Sequence, residues 1–423
     1  MTSISSQGEQ LRPKLPPAFT RLWSAATISM LGDGAYQAAL PLLAVALSSD
    51  PVVISLVSVA MVLPHLVVGV VAGALVDRWD RRRTMWVSDL AQAVLLTLTV
   101  VAGAFGLLGI PALLALAFLA GTGQLFFEVA SQAYLPDLLG RDRTLLRRAN
   151  GRLRGASTAA GQFAGPPLGS FLFSLSRTVP FLVDAVSFVL SALLIRTLPP
   201  APVPERAPST SVWADAREGF RYVVHDKLLL GLALRPAVGN FAFGAVRAVL
   251  VLFARDALGL TAVGYGFLLA AEAVGGLLGA MVVAGPLEKL IGTGTALTLT
   301  AVVEGASVLA FGLARNPWLA GALFALCGCG MATTMVLGWS LRQVIVPARL
   351  MGRVAAASRL VALSAGPLGA VLGGWLASAA GLRAPYLAGG VVLLTMTVVT
   401  MSMTSNAKVQ AALARSREST VDP

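Results

Sequence analysis

The chain has 423 residues, 56% of them hydrophobic and only 12% charged, with a formal net charge of +12 at pH 7. Soluble domains carry about 25% charged residues, so a water-facing globule is excluded and most of this surface must meet lipid. The two cysteines, Cys327 and Cys329, are too few for a disulfide framework or a four-ligand zinc site and are read as packing residues.

The polar, Pro-rich N-terminus (1–21) does not have the pattern of a cleavable signal peptide. Apolar runs of roughly 20 residues, the length that crosses a bilayer, follow. The first, Leu22–Leu47, holds Asp33 between Gly32 and Gly34, and the second, Val52–Val76, holds His65. The segment GALVDRWDRRRTMW, Gly73 to Trp86, then packs charge between two apolar stretches. Met85–Leu108 and Ala112–Leu135 follow, the latter with Glu128. Leu153–Leu175 carries Gly161, Gly165, Pro166 and Gly169, and Phe181–Leu198 completes the first six. Pro199–Lys227 is the one long internal polar stretch; its part WADAREGFRYVVHD has helical spacing and is expected at the membrane surface. Six more spans are predicted: Leu228–Phe253, Val263–Leu287, Thr293–Ala314, Trp318–Val346, Val354–Ala379 and Tyr386–Met403. The expected domains are therefore an N-terminal bundle (22–198), a central loop (199–227), a C-terminal bundle (228–403) and a tail (404–423).

Twelve crossings put both termini on one face. With that face cytoplasmic, 25 of the 32 Lys and Arg residues lie inside and four (Arg177, Arg255, Arg315, Arg383) outside, an asymmetry that orients the chain. The basic charge therefore marks one membrane face, and no separate basic domain remains to hold nucleic acid. The two sixes also repeat. Gly151-Arg152, Ala156-Ser157 and Gly165-Pro166 recur as Gly352-Arg353, Ala357-Ser358 and Gly366-Pro367, all offset by 201, in the fifth spans of the two halves.

Gly73, Asp77, Arg78, Arg81 and Arg82 resemble the loop signature of the major facilitator superfamily. The resemblance extends over nearly the whole chain to its branch of drug, macrolide and siderophore exporters, including enterobactin exporters. It implies an all-α integral membrane fold of twelve transmembrane helices in two pseudo-symmetric six-helix bundles. Gly161, Gly165, Pro166 and Gly169 are similar to the superfamily's antiporter motif, where close packing and proline bends seal against leak; ordinary tight packing is the bland alternative. Two departures stand out. Asp80 occupies a usual glycine position, where a left-handed turn is expected to survive because Asp tolerates it. The fourth span lacks the arginine that many drug–proton antiporters carry.

The resemblance implies that Asp77 pairs across the halves with the start of the eleventh span, through the helix N-terminus or Arg353. That contact would latch one face; the alternative is a plain topological role. Ionisable residues inside spans are costly in lipid and default to functional candidates. Asp33 and Glu128 lead as proton or cation-substrate sites, because the first and fourth helices line the cavity of this fold. Glu272 and Arg359 follow, Glu304 lies in the ninth span, and Arg235 and Arg247 are buried-cation candidates. Fixed ion pairs are the alternative for each. Asp89 and Asp184 are expected to make loop or cap contacts, and His65 to be a packed histidine. The sequence has no Walker-type phosphate loop, metal-ligand cluster or nucleophile elbow, so no enzyme activity, metal or cofactor is expected. The expectation is a monomeric plasma-membrane carrier, with both termini cytoplasmic, exporting an amphipathic small molecule such as a drug, macrolide or secondary metabolite against protons. A siderophore exporter is the runner-up, and an importer of a small nutrient stands behind it.

Overall fold

The computed structural model describes residues 15–140, 142–200 and 212–421, and the described residues form no strand. The first half runs α1 (Pro17–Leu47), α2 (Pro51–Val67), α3 (Gly69–Val76), α4 (Arg81–Ala104) and α5 (Ile110–Leu138). It closes with α6 (Arg143–Ala156), a π-helical segment (Ser157–Ala164), α7 (Gly165–Leu175) and α8 (Val179–Arg196). The second half has α9 (Val212–His225), α10 (Lys227–Leu252), α11 (Ala262–Leu278), α12 (Ala284–Ile291), α13 (Thr293–Leu313), α14 (Pro317–Ile345), α15 (Ala348–Ala380), α16 (Ala384–Met401) and α17 (Asn406–Val421). Short π segments, Phe253–Ala257 and Gly279–Val283, end α10 and join α11 to α12.

Local chemistry explains the helix starts. Asp50, Asp142, Asp226 and Asn316 each accept hydrogen bonds from backbone N–H groups of the first turn that the helix leaves unpaired. Asp80 does the same for α4, accepting from the Arg83 N–H at 3.0 Å with φ −63°. The expected left-handed turn at Asp80 is therefore absent: the residue is a helix N-cap in extended geometry, a role Asp fills and Gly fills less well.

Among the described residues nine helices are long and apolar enough to cross a membrane. The other three crossings are composite or charged. The second is α2 and α3, separated at Val68. The fifth enters through the arginines of α6 and reaches α7 by the π segment, which widens the helix just before Pro166 and Pro167 remove two donors. The eleventh is α15, 33 residues long with three arginines. Together with the nine they make twelve crossings, six in each half, as expected from the sequence. α9 forms where WADAREGFRYVVHD predicted a helix, and its Val223 packs with Leu229, Val346 and Leu350 of the second half.

The core is divided unevenly. On the face away from the termini, one cluster unites both halves, from Leu40, Ile54 and Phe181 to Val249, Phe253, Tyr265, Phe311 and Tyr386. On the termini face each half has its own: Phe19, Met85 and Tyr134 in the first; Leu232, Leu297, Leu341 and Val409 in the second.

Candidate functional site

The divided core defines a two-sided interior. On the far face the halves touch closely: a methyl group on Gly374 of α15 would collide with Ser55 and the Pro51 carbonyl, and one on Gly266 of α11 with Ser170 and Pro166. On the termini face, Gly69, Gly73, Gly151, Gly155, Gly285 and Gly352 would meet nothing within 4 Å. These lie on the second, fifth, eighth and eleventh spans, the helices that join the halves on the far face. The molecule is closed on the far face and parted on the termini face. On the same face a cleft of about 530 Å³ opens within the first half, between α1 and the fifth span, lined by Trp23, Thr27, Arg152, Gly155, Ala156, Ala159 and Ala160.

In the loop after α3, Asp77 and Arg78 are exposed. Arg81 Nη1 donates to the Ala133 carbonyl at 3.0 Å and pairs with Asp137, while Arg82 Nη1 donates to the Leu198 carbonyl at 2.6 Å. These two arginines therefore bind the loop to α5 and to the end of α8, all inside the first half. Arg353 is half-buried early in α15 and has a partner. Gly161, Gly165 and Gly169 line α1: methyl groups on Gly165 and Gly169 would strike Gly34 and Ala35, and one on Gly34 the Gly161 carbonyl. The motif packs the fifth span directly onto the turn that carries Asp33.

The interior charges differ between halves. In the second half Arg247 Nη2 lies 2.6 Å from both carboxylate oxygens of Glu272. The Arg247 side chain is 54% exposed and that of Glu272 6%, so the guanidinium faces the open interior while its partner is sunk behind it. Arg235 is buried and donates to Thr400 Oγ1 (2.9 Å), Thr404 Oγ1 (3.0 Å) and the Leu297 carbonyl (2.7 Å), with buried Glu304 as its electrostatic partner. Each carboxylate here has an arginine. Arg359 lies on α15, but its side chain is outside the described residues.

In the first half Asp33 is half-buried, and Asp89 of α4 and Asp184 of α8 are 0% and 1% exposed. Each of the three acts electrostatically on another, and no Lys, Arg or His among the described residues pairs with them. The expectation of loop or cap contacts for Asp89 and Asp184 is thereby corrected. Both oxygens of Asp89 and Oδ2 of Asp184 lack a hydrogen-bond partner among the described residues; only Asp184 Oδ1 accepts, from Ser187 Oγ at 3.0 Å. Helix rotation decides this: Asp184, Ser187 and Ser191 fall on one face of α8, turned toward α1 and α4. Glu128 is 3.9 Å from His65 Nε2 and accepts from Gln132 Nε2 at 2.9 Å. His65 is part-buried and faces the Glu128 carboxylate, and its Nδ1 has no hydrogen-bond partner among the described residues.

A family model described as transmembrane secretion effector (MFS_3) matches residues 9–422. The multidrug efflux pump Tap of Mycolicibacterium fortuitum is 32% identical over 396 residues, 91% of this chain and 95% of Tap. The enterobactin exporter EntS of Escherichia coli is 27% identical over 356 residues, 81% of this chain and 80% of EntS. Among solved structures, a bacterial homologue of the iron transporter ferroportin in an inward-facing state superposes with a TM-score of 0.75 at 16% identity, covering 93% of this chain and 100% of that one. A mutant form of the nucleoside transporter NupG also gives 0.75, at 11% identity, with 92% and 100% covered. At such identities these two likenesses speak to the fold alone.

Proposed function

The chain belongs to the transmembrane secretion effector family of the major facilitator superfamily, and on that premise we propose that it exports amphipathic small molecules, chiefly cationic ones, in exchange for protons. The single observation that carries the reading is the charge balance of the interior. Among the described residues no arginine or lysine pairs with Asp33, whereas the half-exposed Arg247 is neutralised by Glu272. A lone carboxylate in a low-dielectric interior favours a cation, either a proton or a positively charged substrate. Competition between the two at one site is sufficient for antiport: loading one expels the other. The name of Tap, a multidrug efflux pump, agrees with this reading.

Alternating access supplies the other half of the mechanism. The far-face core is continuous and the termini face is split, which supports a carrier resting open toward its termini. The Lys and Arg distribution supports placing that face in the cytoplasm of a cell membrane, and a monomer suffices for the cycle. Closure of that face would bring Asp77 to the start of α15, where free backbone N–H groups can donate to its carboxylate.

Export of an anionic siderophore is a second reading, favoured by the exposed Arg247 guanidinium and by the name of EntS. Proteoliposomes with an imposed pH gradient separate the two. A fluorescent amphipathic monocation is expected to accumulate uphill and to leak back when a protonophore collapses the gradient. Accumulation of a catecholate anion in its place would establish the siderophore reading, and gradient-independent flux would sink proton coupling. For orientation, Gln410→Cys should react with an impermeant maleimide only after permeabilisation, and Ser176→Cys in intact cells; the reverse pattern overturns the assignment.

A further inference from the structure

Deepening the proton-antiport reading, on which it rests, we propose that Asp89 and Asp184 form an inner proton-binding site behind Asp33. The coupling proton is then carried by a cluster of three carboxylates from α1, α4 and α8. Asp184 is pressed against the backbone beside Asp33: a methyl group on Gly32 would collide with its Oδ1 and with Ser187 Oγ. Two further buried hydroxyls line the pocket: Ser191 Oγ, beside Asp89, and Tyr36 OH, which has no hydrogen-bond partner among the described residues and feels both Asp33 and Asp184. Buried oxygens and hydroxyls that find no protein partner are costly unless something fills their hydrogen-bonding capacity.

Protons fill it. Adjacent buried carboxylates cannot all ionise without a cation, and a protonated carboxyl becomes a donor to its ionised neighbour. The ionisable groups of the pocket are Asp33 and Tyr36 of α1, Asp89 of α4 and Asp184 of α8. Charges on the surrounding elements are engaged elsewhere: Glu128 of α5 faces His65 of α2, Arg81 of α4 holds Asp137, and Arg247 of α10 holds Glu272; α7 has no ionisable residue. Nor do the three converge as metal ligands: among the described residues no set of three or more His, Cys, Asp or Glu is placed to hold an ion. Asp33, the half-exposed member, takes a proton from the open interior and passes it to an oxygen of Asp184 or Asp89; one O–H bond breaks as the other forms. A substrate cation beside Asp33 lowers the negative potential of the whole cluster and drives its protons out by the same route, so the three titrate as one unit.

The test uses the full chain in proteoliposomes and in detergent. Asp89→Asn and Asp184→Asn are each expected to lower gradient-driven accumulation of the monocation by about tenfold or more and to reduce the protons released when it binds. Asp256→Asn, on the far-face surface, should match wild type. Wild-type accumulation and proton release in both inner variants, with the wild-type chain itself gradient-driven, would overturn the inner site while leaving antiport intact. A wild-type chain indifferent to the gradient would remove both. Sodium or calcium driving transport as well as protons do would replace the proton site with a cation site. Should the inner variants fail to fold, infrared difference spectra decide. Asp33→Asn must keep a substrate-sensitive carboxylic-acid stretch from the inner pair, and its absence refutes the proposal.

Discussion

The two halves repeat one packing scheme and diverge in charge. Gly34 and Ala35 of α1 meet the backbone of the fifth span at Gly161, Gly165 and Gly169; Gly244 and Ala245 of α10 meet the eleventh at Gly366 and Gly373. Yet Glu272 is ion-paired with Arg247 and Glu304 lies in the field of Arg235, while among the described residues no Lys, Arg or His pairs with Asp33, Asp89 or Asp184. Backbone contact constrains the shape of a helix pair but not which side chains lie beyond it, so a duplicated scaffold can keep its joints and specialise its charges. The second half carries interior charges neutralised within the fold, and the first carries those we propose to be left for a ligand.

Four experiments break or sharpen that contrast. Asp33→Asn should have the largest effect, removing gradient-driven uphill transport in vesicles while downhill exchange persists. Full uphill transport in that variant would remove Asp33 from the coupling step. Next, Gly34→Ala and Gly244→Ala, each forced against a backbone carbonyl, should destabilise by about 1–3 kcal/mol apiece in detergent melting curves. Gly366→Ala, whose nearest neighbour would be 3.8 Å away, should be nearly neutral. Unequal losses at Gly34 and Gly244 would show that the packing symmetry is only apparent. Third, Glu272→Gln strands Arg247 and should lower stability by roughly 1–2 kcal/mol, less than for a sealed pair because the guanidinium is half exposed. The double variant Arg247→Met/Glu272→Gln should recover most of that loss, and no recovery would mean the two residues act separately. Smallest in stability is Asp77→Asn: the side chain is exposed, so melting should be unchanged within about 0.5 kcal/mol while transport slows. Unaltered flux at matched protein levels would leave Asp77 a topological charge only.

Much of the architecture was legible because lipid imposes it. Twelve apolar runs, the helix at Val212–His225 and the every-fourth-residue glycines of the fifth span need only periodicity and length. Asp89 and Asp184 were misread because distance from a span end does not reveal rotation. The usable signal was the polar stripe Asp184, Ser187 and Ser191, spaced by three and four in an otherwise apolar helix. Ser88, Asp89 and Gln92 on α4 repeat it, and all three are buried. The Arg247–Glu272 pair was out of reach for a different reason. It joins two helices 25 residues apart in sequence, and each residue alone fits a cavity lining equally well. Asp80 misled through analogy: a position that is usually glycine was taken to need a left-handed turn, where this chain uses the carboxylate to cap α4.

The continuous far-face core also shapes the electric field. Water entering from the parted side brings the potential of that compartment up to Asp33, so the transmembrane voltage falls mainly across the thin apolar seal around Phe181, Phe253, Phe311 and Tyr386. Under the proposed antiport, a proton reaching the cluster from the far side would cross most of the field, gaining or losing about 2.3 kcal/mol per 100 mV. On the proposed proton coupling, the apolar seal is thus also the dielectric through which membrane potential, and not only a pH difference, would drive the carrier.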